Sequence, residues 1–266
     1  MLKRVLTLSL SALFFGLGLA SAESPVLDRV LARGELRVAT SGHQPPFNAV
    51  SKDGQLMGLE VDLVRMLAET MNVNLALTSM PFSDLLPALK DGKIDMVLSG
   101  ISITPDRIRD FAFIGPYVLS GKSVLTDSDT LLNMSSPRDL DKESLTLVAL
   151  EGSTSAEYAE RVAPKAKLVK TKDYAEAVQM VIAKKADAMI ADMPACILTV
   201  LQNPRADLAT PSEPFNIEPI GIAVAANDSR FVNLVTMYIN AFEDTGVLED
   251  LRTKWLQGGD WVLALP

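Results

Sequence analysis

Short apolar runs alternate with longer amphipathic stretches over most of this 266-residue chain. The apolar runs of strand length predict β-strands at residues 36–40, 73–78, 95–99, 145–150, 167–169 and 187–191. Apolar residues at helical spacing predict α-helices at residues 59–71, 83–90, 153–162 and 174–184. Short apolar strands that alternate with helices are typical of parallel sheets covered by helices on both faces. The pattern therefore predicts an α/β fold.

The order of a helix followed by a strand at residues 85–100 recurs weakly at residues 175–192. Two similar units of this size predict two lobes, each built around its own mostly parallel sheet. Extended segments at residues 120–125 and 213–225 predict two strands that cross between the lobes as a hinge, with a cleft between the strand ends. The predicted boundaries are residues 23–120 with 215–266 for lobe one, and residues 121–214 for lobe two.

Two charged residues, Arg107 and Asp192, each follow a short apolar run near the predicted start of a helix. Side chains at strand ends of an open α/β sheet face the crevice where such folds bind ligands. A planar cation and a carboxylate at such positions can hold one small zwitterion between them. This arrangement suits the α-carboxylate and α-ammonium groups of a free amino acid.

The first 22 residues have the pattern of a secretory signal peptide. Lys3 and Arg4 form a positive start, residues 5–20 are mostly apolar, and residues 20–22 have the small-x-small pattern of a cleavage site. The apolar run is short for a membrane span, which needs about 20 residues. No Cys directly follows the run to carry a lipid anchor. We expect cleavage before Glu23 and a periplasmic location.

Composition limits the classes of function. The formal net charge of −8 argues against nucleic acid or anionic lipid as a partner. One Cys and one His allow neither an internal disulfide nor a Cys/His-rich metal site. A Ser-His-Asp triad would have to use His43, which lies in a Pro-containing loop without a nucleophile motif. We expect no metal and no cofactor.

Ten short motifs, in order along most of the chain, carry a resemblance to a known family. They are Leu36-Arg37-Val38-Ala39-Thr40, Pro45-Pro46-Phe47, Gly58-Leu59-Glu60-Val61-Asp62-Leu63, Leu86-Pro87-Ala88-Leu89, Ser99-Gly100-Ile101-Ser102-Ile103-Thr104-Pro105-Asp106-Arg107, Gly115-Pro116-Tyr117, Glu151-Gly152-Ser153-Thr154-Ser155, Ala186-Asp187-Ala188, Asp192, and Glu218-Pro219-Ile220-Gly221. The chain resembles the periplasmic amino-acid-binding proteins of ABC importers, the extracellular solute-binding proteins of family 3. The resemblance implies the type II periplasmic binding protein fold, a small-molecule ligand, a membrane permease as partner, and a monomer.

The resemblance also implies roles for individual residues. Arg107 would hold the ligand carboxylate as a bidentate fork; the alternative is a surface arginine of a helix. Asp192 would accept from the ligand ammonium group, or would cap the helix that follows. The remaining contacts to the ligand would come from Gly100 and Ser102 in lobe one, and from Ser153 and Thr154, which could equally serve as N-caps, in lobe two.

The expected side-chain pocket departs from the family pattern. Ser41 stands where many relatives have Asp or Glu, and Gln44 stands where many have an aromatic residue. Phe82 keeps the second aromatic wall. Lys122 replaces a more usual Gln or small polar residue, and it is either part of the pocket or a solvated hinge charge. The missing acid and the added base disfavour a ligand with a cationic side chain, and favour a neutral polar or acidic one.

An enzyme of the same fold is the main alternative. The chain also looks somewhat like periplasmic cyclohexadienyl (prephenate/arogenate) dehydratase, with which it shares Gly121-Lys122. That reaction needs a general acid, but Ala195 stands at the position of the enzyme's Glu, and Leu150 stands at the position of an Asn. We therefore expect a binding protein and no enzyme. A sensor domain that acts through a separate receptor chain is a third reading.

Overall fold

The computed structural model describes residues 24–266, so the predicted signal peptide lies outside the described residues. The strands are β1 (Glu35–Thr40), β2 (His43–Gln44), β3 (Asn48–Val50), β4 (Leu56–Met57), β5 (Asn74–Ser79), β6 (Met96–Val97), β7 (Phe111–Ser120), β8 (Lys122–Leu125), β9 (Thr146–Leu150), β10 (Lys167–Thr171), β11 (Ala188–Asp192) and β12 (Glu218–Ala225). The helices are α1 (Pro25–Arg33), α2 (Leu59–Thr70), α3 (Phe82–Lys90), α4 (Asp129–Leu132), α5 (Thr154–Val162), α6 (Tyr174–Ile182), α7 (Met193–Gln202), α8 (Ser229–Asp244) and α9 (Val247–Arg252). Every predicted strand and helix is present, with ends displaced by at most two residues, except that β12 begins five residues after the predicted start at residue 213.

The first large sheet has five strands in the order β5-β1-β6-β12-β7. Strand β1 pairs in parallel with β5 and β6, as the alternating pattern predicts, whereas β12 pairs antiparallel with β6 and β7. Buried aliphatic and aromatic residues of α1, α2, α8 and α9 form one core with strands of this sheet. Full burial of one such side chain contributes about 1.5–3 kcal/mol to the stability of the fold. The packing of this core therefore holds in place the sheet that carries one half of the site.

The second large sheet has four strands in the order β10-β9-β11-β8. Strand β9 pairs in parallel with β10 and β11, and β8 pairs antiparallel with β11. The sheet separates two cores, one shared with α5 and one shared with α6 and α7. The strands β2, β3 and β4 form a third, small sheet, and they lie between β1 and β5 in the chain. The mixed α/β, two-lobed fold expected from the pattern is confirmed.

Two chain segments cross between the lobes side by side. Strand β7 ends at Ser120, and β8 begins at Lys122 directly after Gly121. On the return, the Phe215 backbone N–H donates to the Lys122 carbonyl oxygen at 2.7 Å, and the Lys122 N–H donates to Asn216 Oδ1 at 2.7 Å. A Cβ atom on Gly121 would overlap the Asn216 carbonyl oxygen, so only glycine allows the two segments to lie this close. The exact lobe boundaries stay a prediction.

Among residues 24–266, no helix combines the length and the apolar character needed to cross a membrane.

Candidate functional site

Three charged side chains meet between the two large sheets. The ammonium group of Lys122 lies 2.7 Å from Asp192 Oδ1 and 3.0 Å from Glu218 Oε2. The Lys122 side chain is 1% exposed, Asp192 is 4% exposed and Glu218 is 14% exposed. The reading of Lys122 as a solvated hinge charge is therefore wrong. An ammonium group with two carboxylates around it is well compensated in this dry setting.

The register of the second sheet places Lys122 and Asp192 together. Lys122 begins β8, Asp192 ends β11, and the two residues are direct partners in the antiparallel pairing. Asp192 also holds the N-cap position of α7, but its carboxylate accepts no capping hydrogen bond. The first two positions of the helix need none, because the Met193 N–H donates to the Gly121 carbonyl oxygen at 2.9 Å and Pro194 has no N–H. The carboxylate is thus available to Lys122.

Two hydroxyl groups from different lobes meet on the carboxylate of Glu218. Ser102 Oγ donates to Glu218 Oε2 at 2.7 Å, and Thr154 Oγ1 donates to the same oxygen at 2.9 Å. The two hydroxyl oxygens are 3.1 Å apart. Burial alone would raise the pKa of Glu218. The charge of Lys122 and the hydrogen bonds from Ser102, Lys122 and Asn216 outweigh burial and lower the pKa from 4.5 to about 2. Glu218 is therefore ionised at neutral pH.

Local structure explains where both hydroxyl groups point. The segment that carries Ser102 pairs with β12, because the Ile103 N–H donates to the Pro219 carbonyl oxygen and the Gly221 N–H donates to the Ile101 carbonyl oxygen. Thr154 is the first residue of α5. The cap of that helix is Ser153, whose hydroxyl accepts from the Ala156 N–H at 3.2 Å and donates to the Leu150 carbonyl oxygen at 2.6 Å. Ser153 therefore has the structural role, and Thr154 is free to face the cleft.

The guanidinium group of Arg107 reaches across the cleft. Its Nη1 donates to the Ser102 carbonyl oxygen at 3.0 Å, and its Nη2 donates to the Gly152 carbonyl oxygen in lobe two at 3.2 Å. Arg107 begins a single 3-10 turn (Arg107–Arg109), not a longer helix. Burial lowers its pKa, against the attraction of Glu157, Glu218 and Asp192. Within residues 24–266 it makes no salt bridge of 4 Å or less, so this cation remains available to an anion.

Gln44 and Gly100 complete the floor of the site. Gln44 Nε2 donates to Asp192 Oδ2 at 3.0 Å, whereas Gln44 Oε1 is buried without a hydrogen-bond partner in the described structure. Gly100 has a φ of +57°, and a Cβ atom there would overlap the Gln44 amide group. Glycine is thus required twice over, for its backbone conformation and for the approach of Gln44.

A buried carboxyl group supports this floor from below. Glu60 accepts from the Gly100 backbone N–H at 2.6 Å, from Asn48 Nδ2 at 2.7 Å and from the Tyr117 hydroxyl. Burial raises the pKa of Glu60, partly offset by these hydrogen bonds. Asn48 in turn accepts from the hydroxyl of Ser41 at 2.9 Å. The Ser41 side chain therefore belongs to the support of the site.

Ser41 and Phe82 also line a small cavity between the lobes, together with His43, Leu150 and Tyr174. Its volume is about 20 Å³, which leaves room for about one water molecule. The space beside Ser41 and Phe82 is thus nearly closed in this arrangement. No three His, Cys, Asp or Glu side chains of residues 24–266 come together as a metal site.

The site residues predicted from the sequence fall into two groups. Arg107, Ser102, Thr154, Asp192, Gln44 and Lys122 share one hydrogen-bonded network through Glu218, whereas Gly100 and Ser41 join the support around Glu60, and Phe82 and Ser153 lie at the edge of the site. Glu218 was not among the predicted contacts to the ligand, although its acid could have been expected near the pocket. The signal was its position at the start of the returning hinge strand, where antiparallel pairing sets it opposite Ser120, two residues from Lys122.

Comparisons with known proteins identify the family of this chain. The family model of the bacterial extracellular solute-binding proteins, family 3, matches residues 36–258. Cyclohexadienyl dehydratase from Pseudomonas aeruginosa is 28% identical over 236 residues, which are 89% of this chain and 88% of the dehydratase. The chain therefore belongs to the bacterial extracellular solute-binding proteins, family 3, which confirms the resemblance of its motifs.

Two solved structures show the same fold. The ancestral amino acid-binding protein AncCDT-1, a precursor of cyclohexadienyl dehydratase, has a TM-score of 0.79 and 32% identity, over 86% of this chain and 98% of its own. A putative binding component of an ABC transporter from Wolinella succinogenes, complexed with lysine, has a TM-score of 0.82 and 32% identity, over 87% of this chain and 99% of its own. Most of the similar proteins are amino-acid-binding proteins, which supports a solute-binding role.

Proposed function

We propose that this protein captures a small carboxylate, such as a free amino acid, between its two lobes and delivers it to the membrane permease of an ABC importer. It acts in the periplasm after cleavage of residues 1–22, and it acts as a monomer. The cleft lies between residues 23–120 with 215–266 on one side and residues 121–214 on the other.

One observation carries the proposal. Donors from both lobes converge on a carboxylate group: Ser102 of lobe one and Thr154 of lobe two each donate to Glu218 Oε2. Arg107, on the same segment as Ser102, crosses to lobe two and keeps its charge free of carboxylate partners within the described residues. A guanidinium fork beside two hydroxyl donors matches the geometry of a ligand carboxylate.

Lobe closure follows from the division of these donors. When the lobes separate at the hinge, Thr154 and Gly152 leave Ser102 and Arg107. A carboxylate that binds Arg107 can then recruit Thr154 only if the lobes close again. Because the closed form makes both sets of contacts, the ligand shifts the population toward closure. A permease would read the closed shape.

The dehydratase is the second candidate, favoured by the match to the Pseudomonas aeruginosa enzyme. The residues at the positions of the enzyme's catalytic groups argue against dehydratase activity. Ala195 and Leu150 stand where the enzyme has its acid and its amide, and both are buried apolar residues. The nearest acid that the structure adds, Glu218, has a pKa of about 2 and carries no proton to give at neutral pH. We therefore retain the binding role.

A thermal-shift screen tests the proposal. The protein without residues 1–22 is heated with free amino acids, including arginine, lysine, glutamine and glutamate, and with small carboxylates. A ligand at a hundred times its dissociation constant stabilises the folded state by about 2.7 kcal/mol. We expect at least one small carboxylate to raise the melting temperature, and arginine and lysine to act more weakly than the best neutral or acidic ligand. If no compound shifts the melting temperature, the proposal is wrong.

A further inference from the structure

We propose that the site selects carboxylates whose α-substituent is a hydroxyl or oxo group, in preference to α-amino acids. This inference rests on the proposed capture of a small carboxylate and names the class of ligand.

Each carboxylate oxygen of Asp192, the expected acceptor for an α-ammonium group, already has a donor. Its Oδ1 accepts from the Lys122 ammonium group at 2.7 Å, and its Oδ2 accepts from Gln44 Nε2 at 3.0 Å. A second ammonium group would have to share this carboxylate with Lys122. Like charges this close disfavour each other, and a buried charge without its own partner is costly. The protein's own lysine thus takes the place of the ligand's amine.

Opening of the lobes takes Gln44 of lobe one away from Asp192 Oδ2, but it does not separate Asp192 from Lys122. Lys122 and Asp192 are direct partners on neighbouring strands of one sheet, so their ion pair lies within lobe two. The partner of Lys122 from the other side of the hinge is Glu218, at 3.0 Å. Even if that contact opens, Lys122 stays beside Asp192. An amino acid that enters the open cleft therefore meets a carboxylate that is still paired with Lys122.

The groups around Asp192 suit a hydroxyl or an oxo oxygen. Lys122 has three N–H donors, and the structure uses two of them on Asp192 and Glu218. The third can donate to an α-oxygen of the ligand. Gln44 Oε1 is a buried acceptor without a partner among the described residues, and an α-hydroxyl can donate to it. A hydroxyl that accepts from Lys122 and donates to Gln44 satisfies both groups at once, while Arg107 takes the carboxylate.

Matched series of compounds test this. The wild-type protein is titrated by calorimetry with alanine, leucine, phenylalanine and glutamate, and with the 2-hydroxy and 2-oxo acids that carry the same side chains. We expect the tightest compound to be a hydroxy or oxo acid that binds at least tenfold more tightly than its amino analogue. An amino acid that binds as tightly as its analogues, or more tightly, overturns the inference and leaves the capture of small carboxylates intact. Failure of every compound to bind contradicts the proposed function, and the inference with it.

A charge-removing variant provides the second arm. Lys122→Gln frees Asp192 from its ammonium partner and keeps a hydrogen-bonding side chain. We expect the ratio of amino-acid to hydroxy-acid affinity to rise at least tenfold. The exposed Lys185 of the same lobe gives the control, Lys185→Gln, which should leave the ratio unchanged. An unchanged ratio in Lys122→Gln counts against the inference, and the wild-type comparison decides alone if that variant does not fold.

Discussion

Lys122 and Asp192 face each other across a pair of antiparallel strands, with the ammonium nitrogen 2.7 Å from a carboxylate oxygen and both side chains almost fully buried. Glu218 adds a second carboxylate to the same ammonium group from the returning hinge strand. The three charges therefore tie the second sheet to the hinge. They also set the electrostatics of the site, because one lysine pairs with two acids and leaves the cluster one formal negative charge, while Arg107 makes no salt bridge within the described residues.

Removal of Lys122 tests how much this arrangement contributes to stability. In Lys122→Ala, Asp192 and Glu218 lose their shared cation, and loss of one partner of a buried ion pair costs about 3–5 kcal/mol. We expect the free energy of unfolding to fall by that amount in urea titrations. In Lys185→Ala, an exposed lysine of the same lobe, the change should stay within about 0.5 kcal/mol. Equal stability of both variants would show that the cluster contributes nothing to folding.

Gly100 is predicted to tolerate no side chain. Gly100→Ala forces a left-handed backbone on alanine, at about 1–2 kcal/mol, and it also drives a methyl group into the Gln44 amide. Gly92→Ala is the matched control, because Gly92 has a similar φ of +68° and open space where the Cβ atom would lie. Thermal unfolding should show a larger loss of stability for Gly100→Ala, and only Gly100→Ala should weaken ligand binding. Identical behaviour of the two variants would contradict the close approach of Gln44.

The pH dependence of stability should reveal the lowered pKa of Glu218. Its pKa falls from an ordinary value of 4.5 to about 2 in the folded protein. A carboxyl with a depressed pKa adds stability above the unfolded pKa, and this stability is lost as the pH falls toward the folded pKa. The difference in free energy of unfolding between the native protein and Glu218→Gln should therefore shrink between about pH 4.5 and pH 2, by at most ~1.4 kcal/mol per pH unit. A difference that does not vary with pH would show that Glu218 is not held as an ion. Glu143→Gln removes an exposed carboxyl and serves as the control.

No dehydratase turnover is expected. Ala195 and Leu150 cannot transfer a proton, and Glu218 is ionised at neutral pH. The purified protein is incubated with prephenate while the absorbance of phenylpyruvate is followed, with the Pseudomonas aeruginosa enzyme as a positive control. The rate should equal that of prephenate alone. Sustained release in proportion to protein concentration would instead favour the enzyme.

The sequence predicted the elements well because periodicity is a local signal. The strands and helices that were predicted follow from the spacing of their apolar residues, whereas β2, β3, β4, β7 and α4 were not predicted. The network of the site was less accessible, because its partners lie far apart in the chain. Glu218 meets Ser102 across 116 positions, and Lys122 meets Asp192 across 70 positions. Pairing register decides such contacts, and no short motif encodes it.

The role of Ser41 shows the same limit. Its small side chain indicated a missing acid, which the sequence could predict by comparison with the family pattern. The sequence does not show that the Ser41 hydroxyl donates to Asn48 and so joins the support around Glu60. These contacts depend on the three-dimensional arrangement of the loop.

Calorimetric titration of Arg107→Ala tests the central claim most directly. The titrant is the tightest ligand found for the native protein, and Arg109→Ala is the control, since Arg109 lies two residues away with 77% of its side chain exposed. We predict that Arg107→Ala weakens binding at least a hundredfold, or about 2.8 kcal/mol, because the ligand carboxylate loses its charged fork. Arg109→Ala should bind like the native protein. An affinity of Arg107→Ala within threefold of the native value would contradict the assignment of the carboxylate site.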